Sequence, residues 1–350
     1  MALGHTYQAA GVDIDAAARF EAMIKERIAS AWPGMEREIG KFAGGGPIPR
    51  GARNISISTD GVGTKILLEA LTDKWYDAGK DAAAMGLVDV YVSGSNPLYM
   101  VDTFKAAKLQ PELHIHAIEG LIDWCKKAGC VLVGGETAEL PGMFAHDWIV
   151  DLDVTVVGFP STALTYAPVE PGQQVYGWPS HGPASNGFSL VRNIFGLYPV
   201  SNAGLSRRKL TKYYRELGET LAEALLWPTP IWISEVEEQR KRGVKFSGHA
   251  HITGGGMLEN IPRILPSHCA VVIDRSRWAR PPIFRLTQDV GAVSNAEMDK
   301  VFNQGIMMIS IVHPSGTAMN SPDALLVGEV VRRKDADDSQ VEMTGAYLDF

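Results

Sequence analysis

Ile55-Ser56-Ile57-Ser58-Thr59-Asp60-Gly61-Val62-Gly63-Thr64-Lys65 is the stretch on which the fold turns. Its first six residues alternate like a half-buried strand and then run into two glycines, a threonine and a lysine. A strand ending in such a turn exposes backbone N–H groups. With the Thr64 hydroxyl and the Lys65 cation, they would suit a phosphate. A Walker A loop is excluded, because that motif needs glycine, four residues, then Gly-Lys-Ser/Thr. Here Ser58 stands at the first glycine and the order is Gly-Thr-Lys. Asp60, at the strand end, is a hard oxygen donor of the kind Mg2+ prefers. A plain strand-to-turn connection carrying surface charges fits the same residues.

Before this stretch, Phe20, Met23, Ile24 and Ile28 recur at helical spacing, predicting a helix over 15–31 that Trp32-Pro33-Gly34 ends. A glycine-rich segment over 40–49 follows, centred on Gly44-Gly45-Gly46-Pro47. After it, the pattern predicts helices over 81–91 and 111–128, and strands over 98–104, 130–133 and 149–159. Residues 160–172, rich in Pro, Thr and Ala, mark a boundary between domains over 1–165 and 166–350. The second half reads as strands over 174–178, 270–273, 306–312 and 326–331, with helices over 186–195, 212–226 and 231–242. Mixed elements in both halves give an α/β chain of the α+β type with two domains.

Composition narrows the function. Glycine occupies 36 of 350 positions, about a tenth against a usual roughly 7%. The glycines cluster where a side chain would obstruct something. Thirty-three basic against 40 acidic residues leave a net charge of −7, which argues against broad nucleic-acid binding. Three cysteines without a CxxC pair fit a reducing, cytoplasmic setting. No basic-then-apolar leader and no apolar run near 18 residues occurs, so no membrane association is expected.

Other constellations carry possible chemistry. Gly134-Gly135-Glu136-Thr137-Ala138-Glu139-Leu140-Pro141-Gly142-Met143 sets two carboxylates three apart, a spacing that would share one side of a helical turn. Asp81 and Asp89 are eight apart on a predicted helix. Asp89 lies between Val88 and Val90 and needs a partner if buried. Gly182-Pro183-Ala184-Ser185-Asn186-Gly187 precedes a helix and could receive an anion or simply cap it, with Arg192 nearly two turns on. His251-Ile252-Thr253-Gly254-Gly255-Gly256 is a second small-residue turn. No zinc spacing and no GxSxG elbow occurs.

Taken together, these motifs resemble the phosphoribosylformylglycinamidine cyclo-ligase (AIR synthetase) family. The resemblance begins at Tyr7-Gln8-Ala9-Ala10-Gly11-Val12-Asp13-Ile14-Asp15 and includes Thr59 to Lys65, Gly134 to Met143, and Ser185-Asn186-Gly187-Phe188-Ser189-Leu190-Val191-Arg192. It continues through His251 to Gly256, Glu259-Asn260-Ile261-Pro262-Arg263 and Phe302-Asn303 before Gly305, covering nearly the whole chain. It implies a two-domain protein whose N-terminal domains pair in a homodimer. The implied reaction uses ATP and Mg2+ to phosphorylate the formamide oxygen of a phosphoribosyl substrate, formylglycinamidine ribonucleotide, before ring closure. By the same resemblance, Asp60, Asp81, Asp89 and Glu136 are expected to face metal. Gly44, Gly45, Gly46, Gly61, Gly63, Thr64 and Lys65 would contact nucleotide phosphate. Ser185, Asn186, Arg192, Thr253, Gly254, Gly255 and Gly256 would hold the substrate, and Asp60, Lys65, Asp89 and His181 would carry the chemistry.

The chain departs from the family pattern inside its motifs. Ala184 stands where the family has histidine, and His181, three residues earlier, could supply an imidazole instead. Val88 replaces an asparagine, Gln8 a lysine and Pro230 a basic residue. Gln304 and Met307 alter the closing Phe-Asn-x-Gly-Ile-Gly run. Two further readings therefore accompany the first: a paralogue that activates another amide or carboxyl with ATP, or a non-catalytic nucleotide-binding relative. Among families of related fold, selenophosphate synthetases typically carry an N-terminal reactive cysteine or selenocysteine, and the first cysteine here is Cys125. Hydrogenase-maturation relatives end in cysteine, and thiamine-monophosphate kinases lack the Gly-Glu-Thr-Ala-Glu run.

Overall fold

The computed structural model describes residues 13–37, 39, 41, 43–160, 166–335 and 337–349. Gln8 and most of the first motif lie outside the described residues. The chain divides into two compact units. The first holds the described residues up to Tyr91, Ser95–Pro160 and Tyr198–Arg207. The second holds those of Ser161–Leu197, Arg208–Phe350 and Val92–Gly94.

The first unit contains α1 (Ile14–Ala31), β1 (Ser56–Gly61), α2 (Ile66–Leu71), α3 (Trp75–Val92), β2 (Ser95–Ala106), α4 (Pro111–Ala128), β3 (Val131–Glu139) and β4 (Val150–Pro160). Its sheet has the order β1-β4-β2-β3, antiparallel except for the β2–β3 pair. A parallel pair needs a crossover, and α4 supplies it. That helix is bounded as its sequence dictates. Pro111 opens it, where a missing N–H does no harm, and Gly129 at φ 72° closes it by donating to Cys125 and Lys126 carbonyls. Strict alternation along β4 buries Leu152, Val154 and Val156 under α3. Phe20 of α1, Phe104 of β2 and His114 of α4 meet with ring centroids 5.6 and 5.1 Å apart.

Following on are β5 (Gln174–Pro179), α5 (Phe188–Phe195), α6 (Ala203–Leu210), β6 (Tyr213–Tyr214), β7 (Glu219–Thr220), α7 (Leu221–Leu225), α8 (Ile233–Lys241), β8 (Lys245–His251), α9 (Gly256–Asn260), β9 (Cys269–Asp274), β10 (Ala279–Arg280), α10 (Pro282–Gly291), α11 (Asn295–Val301), β11 (Ile306–His313), β12 (Leu325–Arg332), β13 (Val341–Thr344) and β14 (Leu348–Asp349). The second unit is built on a six-stranded sheet, β13-β9-β12-β5-β11-β8. Its core gathers Val175, Ile252, Ile273, Ile309, Ile311 and Val327.

Two sequence expectations are corrected. The helix expected over 212–226 is a small β6–β7 hairpin followed by α7, because Gly218 at φ 73° turns the chain back and Thr220 caps the helix with Glu223 in a reciprocal box. The segment from Gly134 to Glu139 is strand, not helical turn, since β2 continues to offer pairing partners as far as Ala106. Glu136 and Glu139 are therefore not neighbours on a helical surface. Glu139 instead accepts from the Asp13 and Leu109 N–H groups, at 2.5 and 2.8 Å. Among the described residues, no helix is long and apolar enough to cross a membrane.

Helices α3 and α4 touch backbone to backbone. A Cβ on Gly79 would lie 1.9 Å from the Ala117 carbonyl oxygen, and one on Gly120 would lie 2.1 Å from that of Tyr76. Neither backbone can yield without separating the helices. Gly120→Ala is expected to cost about 2–3 kcal/mol. A urea titration should show a lower midpoint at an unchanged slope.

Candidate functional site

In the first unit, β1 ends at Asp60 and Gly61, and the turn beyond it is fixed from two sides. The Val62 N–H donates to the Leu152 carbonyl at 3.2 Å, and the Gly61 N–H donates to Asp60 Oδ1 at 2.8 Å. Gly63 and Thr64 are exposed at its crest. Lys65 turns inward. Its Nζ lies 2.5 Å from Asp81 Oδ2 and 3.8 Å from Glu69 Oε1, with all three side chains fully buried. Burial, with the Asp81 charge beside it, holds the Glu69 carboxyl well above the usual carboxylate range. Lys65, expected at a phosphate, and Asp81, expected at a metal, are each other's counter-charge in this structure, withdrawn from solvent.

Asp60 and Asp89 are half-buried, and Asp89 accepts from Ser58 Oγ at 3.3 Å, which ties α3 to β1. Neighbouring Val88 is buried on the apolar side of α3. Across the sheet, Asp60 is paired with Val154, Val154 with Asp102, and Asp102 with Gly135. Directly opposed antiparallel residues share a face, so Asp60 and Asp102 flank Val154 on one side of the sheet. Sequence reading missed Asp102. Its signal was a single carboxylate between Val101 and Thr103 in a predicted strand, the same pattern that singled out Asp89. Burial pushes the Asp102 carboxyl up to about 7, and the charge of Glu136 adds to the shift. A Cβ on Gly135 would fall 2.2 Å from Asp102 Oδ1, so only glycine lets the carboxyl sit there.

Asp102, Gly134, Gly135 and exposed Glu136 line a cavity of about 700 Å3 that α1 and Gly44 close from the other side. Gly44 lies directly on β3, where a Cβ would meet the Val133 carbonyl oxygen at 2.0 Å. Tyr99 pins the same loop by donating to the Pro47 carbonyl at 2.6 Å, against Gly46. Gly45 has open space around it. The structure thus brings the glycine loop and Glu136 to one cavity. Among the described residues, no group of three or more His, Cys, Asp or Glu side chains converges as a metal cage, so the four expected acids are not gathered.

The second unit collects the other group. Ser185 shares a hydrogen bond with Thr229 at 3.2 Å, and Asn186 Oδ1 accepts from the Gly254 N–H at 3.2 Å, joining the two small-residue turns. Gly187, at φ 78°, starts α5. Asn260 Nδ2 donates to the Thr253, Gly254 and Gly256 carbonyls and holds the second turn closed. Gly255, at φ 94°, opens α9. Asn186 Nδ2 and Arg192 Nε are buried without a hydrogen-bond partner among the described residues. Ala184 is buried at φ 58°, whereas His181 is exposed, its ring 4.6 Å from that of Trp227 at 31°. Asn186 and the 253–256 turn are therefore joined directly, and Arg192 lies further along α5.

Residues 47–159 match the family model of the AIR synthase related protein N-terminal domain, and residues 170–337 that of its C-terminal domain. A phosphoribosylformylglycinamidine cyclo-ligase of Picosynechococcus sp. is 38% identical over 320 residues, covering 90% of this chain and 91% of that protein. That of Shouchella clausii is 37% identical over 345 residues, covering 94% and 96%. The chloroplastic/mitochondrial protein of Vigna unguiculata is 40% identical over 314 residues, covering 89% and 76%. Among solved structures, Escherichia coli HypE shares the fold with a TM-score of 0.60 at 18% identity, covering 95% and 94% of the two chains. Thiamine-monophosphate kinase from Stenotrophomonas maltophilia shares it with a TM-score of 0.59 at 15% identity, covering 93% and 96%.

Two outcomes follow from the geometry. Lys65→Met should destabilise the protein by about 3–5 kcal/mol, since it strands a buried carboxylate. Adding Asp81→Leu should return most of that loss in a denaturant titration. For Asp102, the folded-state pKa lies above the ordinary value near 4, so the native state binds the extra proton. Its contribution to stability is present in acid and is lost as pH rises through about 7. Asp102→Asn should therefore gain stability relative to wild type between pH 4 and 7, as read from unfolding midpoints across that range.

Proposed function

The chain belongs to the AIR synthase related family, and we propose that it is the cyclo-ligase that converts formylglycinamidine ribonucleotide to aminoimidazole ribonucleotide at the expense of ATP. The observation that carries this is the 37–40% identity to phosphoribosylformylglycinamidine cyclo-ligases across about nine-tenths of the chain. An amide oxygen is a poor leaving group. In the reaction, the formamide oxygen attacks the γ-phosphorus of ATP and ADP departs. The amidine nitrogen then attacks the formyl carbon, and the C–O bond breaks to release phosphate as the ring closes. Both steps need negative charge on phosphoryl oxygens neutralised by donors already in place.

In the first unit, the exposed N–H groups around Gly63, the Thr64 hydroxyl and the glycine loop at the cavity suit nucleotide phosphate. Half-buried Asp60 and Asp89 are hard donors. Mg2+ usually takes one or two carboxylates plus phosphate oxygens and water. When bound, Mg2+ would neutralise phosphate charge there, with Glu136 at the cavity edge. In the second unit, Ser185, Asn186, Arg192 and the Thr253, Gly254 and Gly255 turn suit the phosphoribosyl substrate. Arg192 offers the charge, and the unpartnered Asn186 amide offers a neutral donor. His181, exposed beside Trp227, is our candidate for the imidazole that Ala184 lacks. A homodimer is supported by the open face of the first sheet, which leaves Ile57 61% exposed and Val101 36% exposed. Three buried free cysteines suit a cytoplasmic setting.

The test is purified protein with formylglycinamidine ribonucleotide, ATP and Mg2+, following ADP and imidazole product together. Stoichiometric formation of both is expected. Nucleotide binding without product would point to the non-catalytic reading, which the loss of histidine at Ala184 favours. Within the ligase reading, His181→Ala should lower kcat at least ten-fold, and an unchanged rate would remove His181 from the chemistry.

A further inference from the structure

Among the described residues, four non-glycine residues have positive φ, and two of them, Ala184 and Gln304, lie in loops that are bonded to each other. Asn303 Nδ2 donates to the Gly182 carbonyl at 3.1 Å, and Ser180 Oγ donates to the same oxygen at 2.7 Å. The Ser180 N–H in turn donates to the Gly305 carbonyl at 2.8 Å, and the Gly305 N–H to Asn303 Oδ1 at 2.8 Å. The turn over 303–305 thus carries the start of the loop that leads to Ser185 and Asn186.

Gln304 sits at φ 51°, a conformation that favours glycine, yet it keeps a long side chain and is 2% exposed. That side chain is held at both ends. Its Nε2 donates to Asp299 Oδ1 at 3.4 Å, and its Oε1 accepts from Arg280 Nη1 at 3.4 Å. Asp299 is fixed further by the Tyr347 hydroxyl at 2.6 Å and by the Arg275 guanidinium. Arg280 donates to Gln288 at 2.9 Å and lies over the Tyr347 ring at 4.6 Å. The Gln304 carbonyl accepts from Trp278 Nε1 at 2.9 Å. Glycine would satisfy the backbone with less strain, so the side chain supplies what holds this residue in its left-handed state.

We propose that Gln304 is a positioning residue: bridged between Asp299 and Arg280, it locks the 303–305 turn and thereby sets the 182–187 loop for substrate. The inference rests on the reading of that loop as the phosphoribosyl side of the site. Gln304 touches no reacting atom and acts through Asn303 and Gly182. Removing its amide should loosen the loop without loosening the unit.

The experiment compares wild type with Gln304→Gly, which relieves the backbone, and with Gln304→Asn, which tolerates the left-handed conformation but falls one carbon short of the bridge. Hydrogen–deuterium exchange of the 182–187 amides and melting temperature are read without substrate. KM and kcat are then measured for formylglycinamidine ribonucleotide and for ATP. Both variants should exchange those amides at least ten-fold faster. Gln304→Gly should melt below wild type, since it leaves Asp299 and Arg280 each short of a buried hydrogen bond, while exchange in the six-stranded sheet stays as in wild type. KM for the ribonucleotide should rise at least five-fold, with KM for ATP within two-fold. Unchanged exchange over 182–187 in both variants would overturn the proposal. So would faster exchange spread over the whole six-stranded sheet, because Gln304 would then be merely structural. If wild type makes no imidazole product, the functional reading fails alone, and the exchange measurement still decides the role of Gln304.

Discussion

A lysine without water needs a carboxylate close by, and the Lys65–Asp81 contact at 2.5 Å is the constraint that shapes the first unit's turn. Lys65 stands between β1 and α2, so anchoring its head group to α3 fixes the direction in which the chain leaves the sheet. Glu69 joins the pair, its carboxyl held well above the usual carboxylate range by burial and by the Asp81 charge. The result is a turn whose crest, Gly63 and Thr64, offers backbone N–H and hydroxyl but no flexible cation. Neutralising a phosphate there would fall to oriented dipoles and to a metal held by carboxylates. This is also a coherent use for acidic residues in a chain of net charge −7.

The second unit solves a similar problem with uncharged groups. Asn186, Asn260 and Asn303 each bind backbone of a neighbouring turn, and Gln304 binds side chains on either side of its own. An amide can donate and accept at once, so one residue can hold two loops in register without a buried charge to compensate. Arg192 on α5 has its Nε buried without a hydrogen-bond partner among the described residues.

How much of this was legible depended on whether the signal was local. The helices α1 and α4 were readable because their stop signals, and for α4 a start signal, stand in the sequence itself: Trp32-Pro33-Gly34, Pro111 and Gly129. The glycine clusters were readable for the same reason, since a missing side chain is a local fact. Strand β3 runs on past the expected end at Val133 because its extension is decided by pairing with β2, far earlier in the chain. Lys65 was read as solvent-facing because nothing in Gly-Thr-Lys shows that Asp81 will face it. Asp102 went unnoticed because its burial beside Gly135 is a property of strand pairing. Element type was written in short windows, and side-chain role was written in the packing between them.

Ala184 brings these strands of argument together. Histidine, asparagine and aspartate occupy left-handed backbone more readily than alanine does, and the family has histidine at this position. Yet Ala184 keeps φ 58°, so the conformation is imposed by its surroundings rather than by its own preference. Ser180 and Asn303 hold Gly182 on one side, and Thr229 and Gly254 hold Ser185 and Asn186 on the other. The shape of this loop is therefore set by its neighbours and not by the side chain at position 184. His181, three residues earlier in the same loop, is the exposed imidazole of this segment.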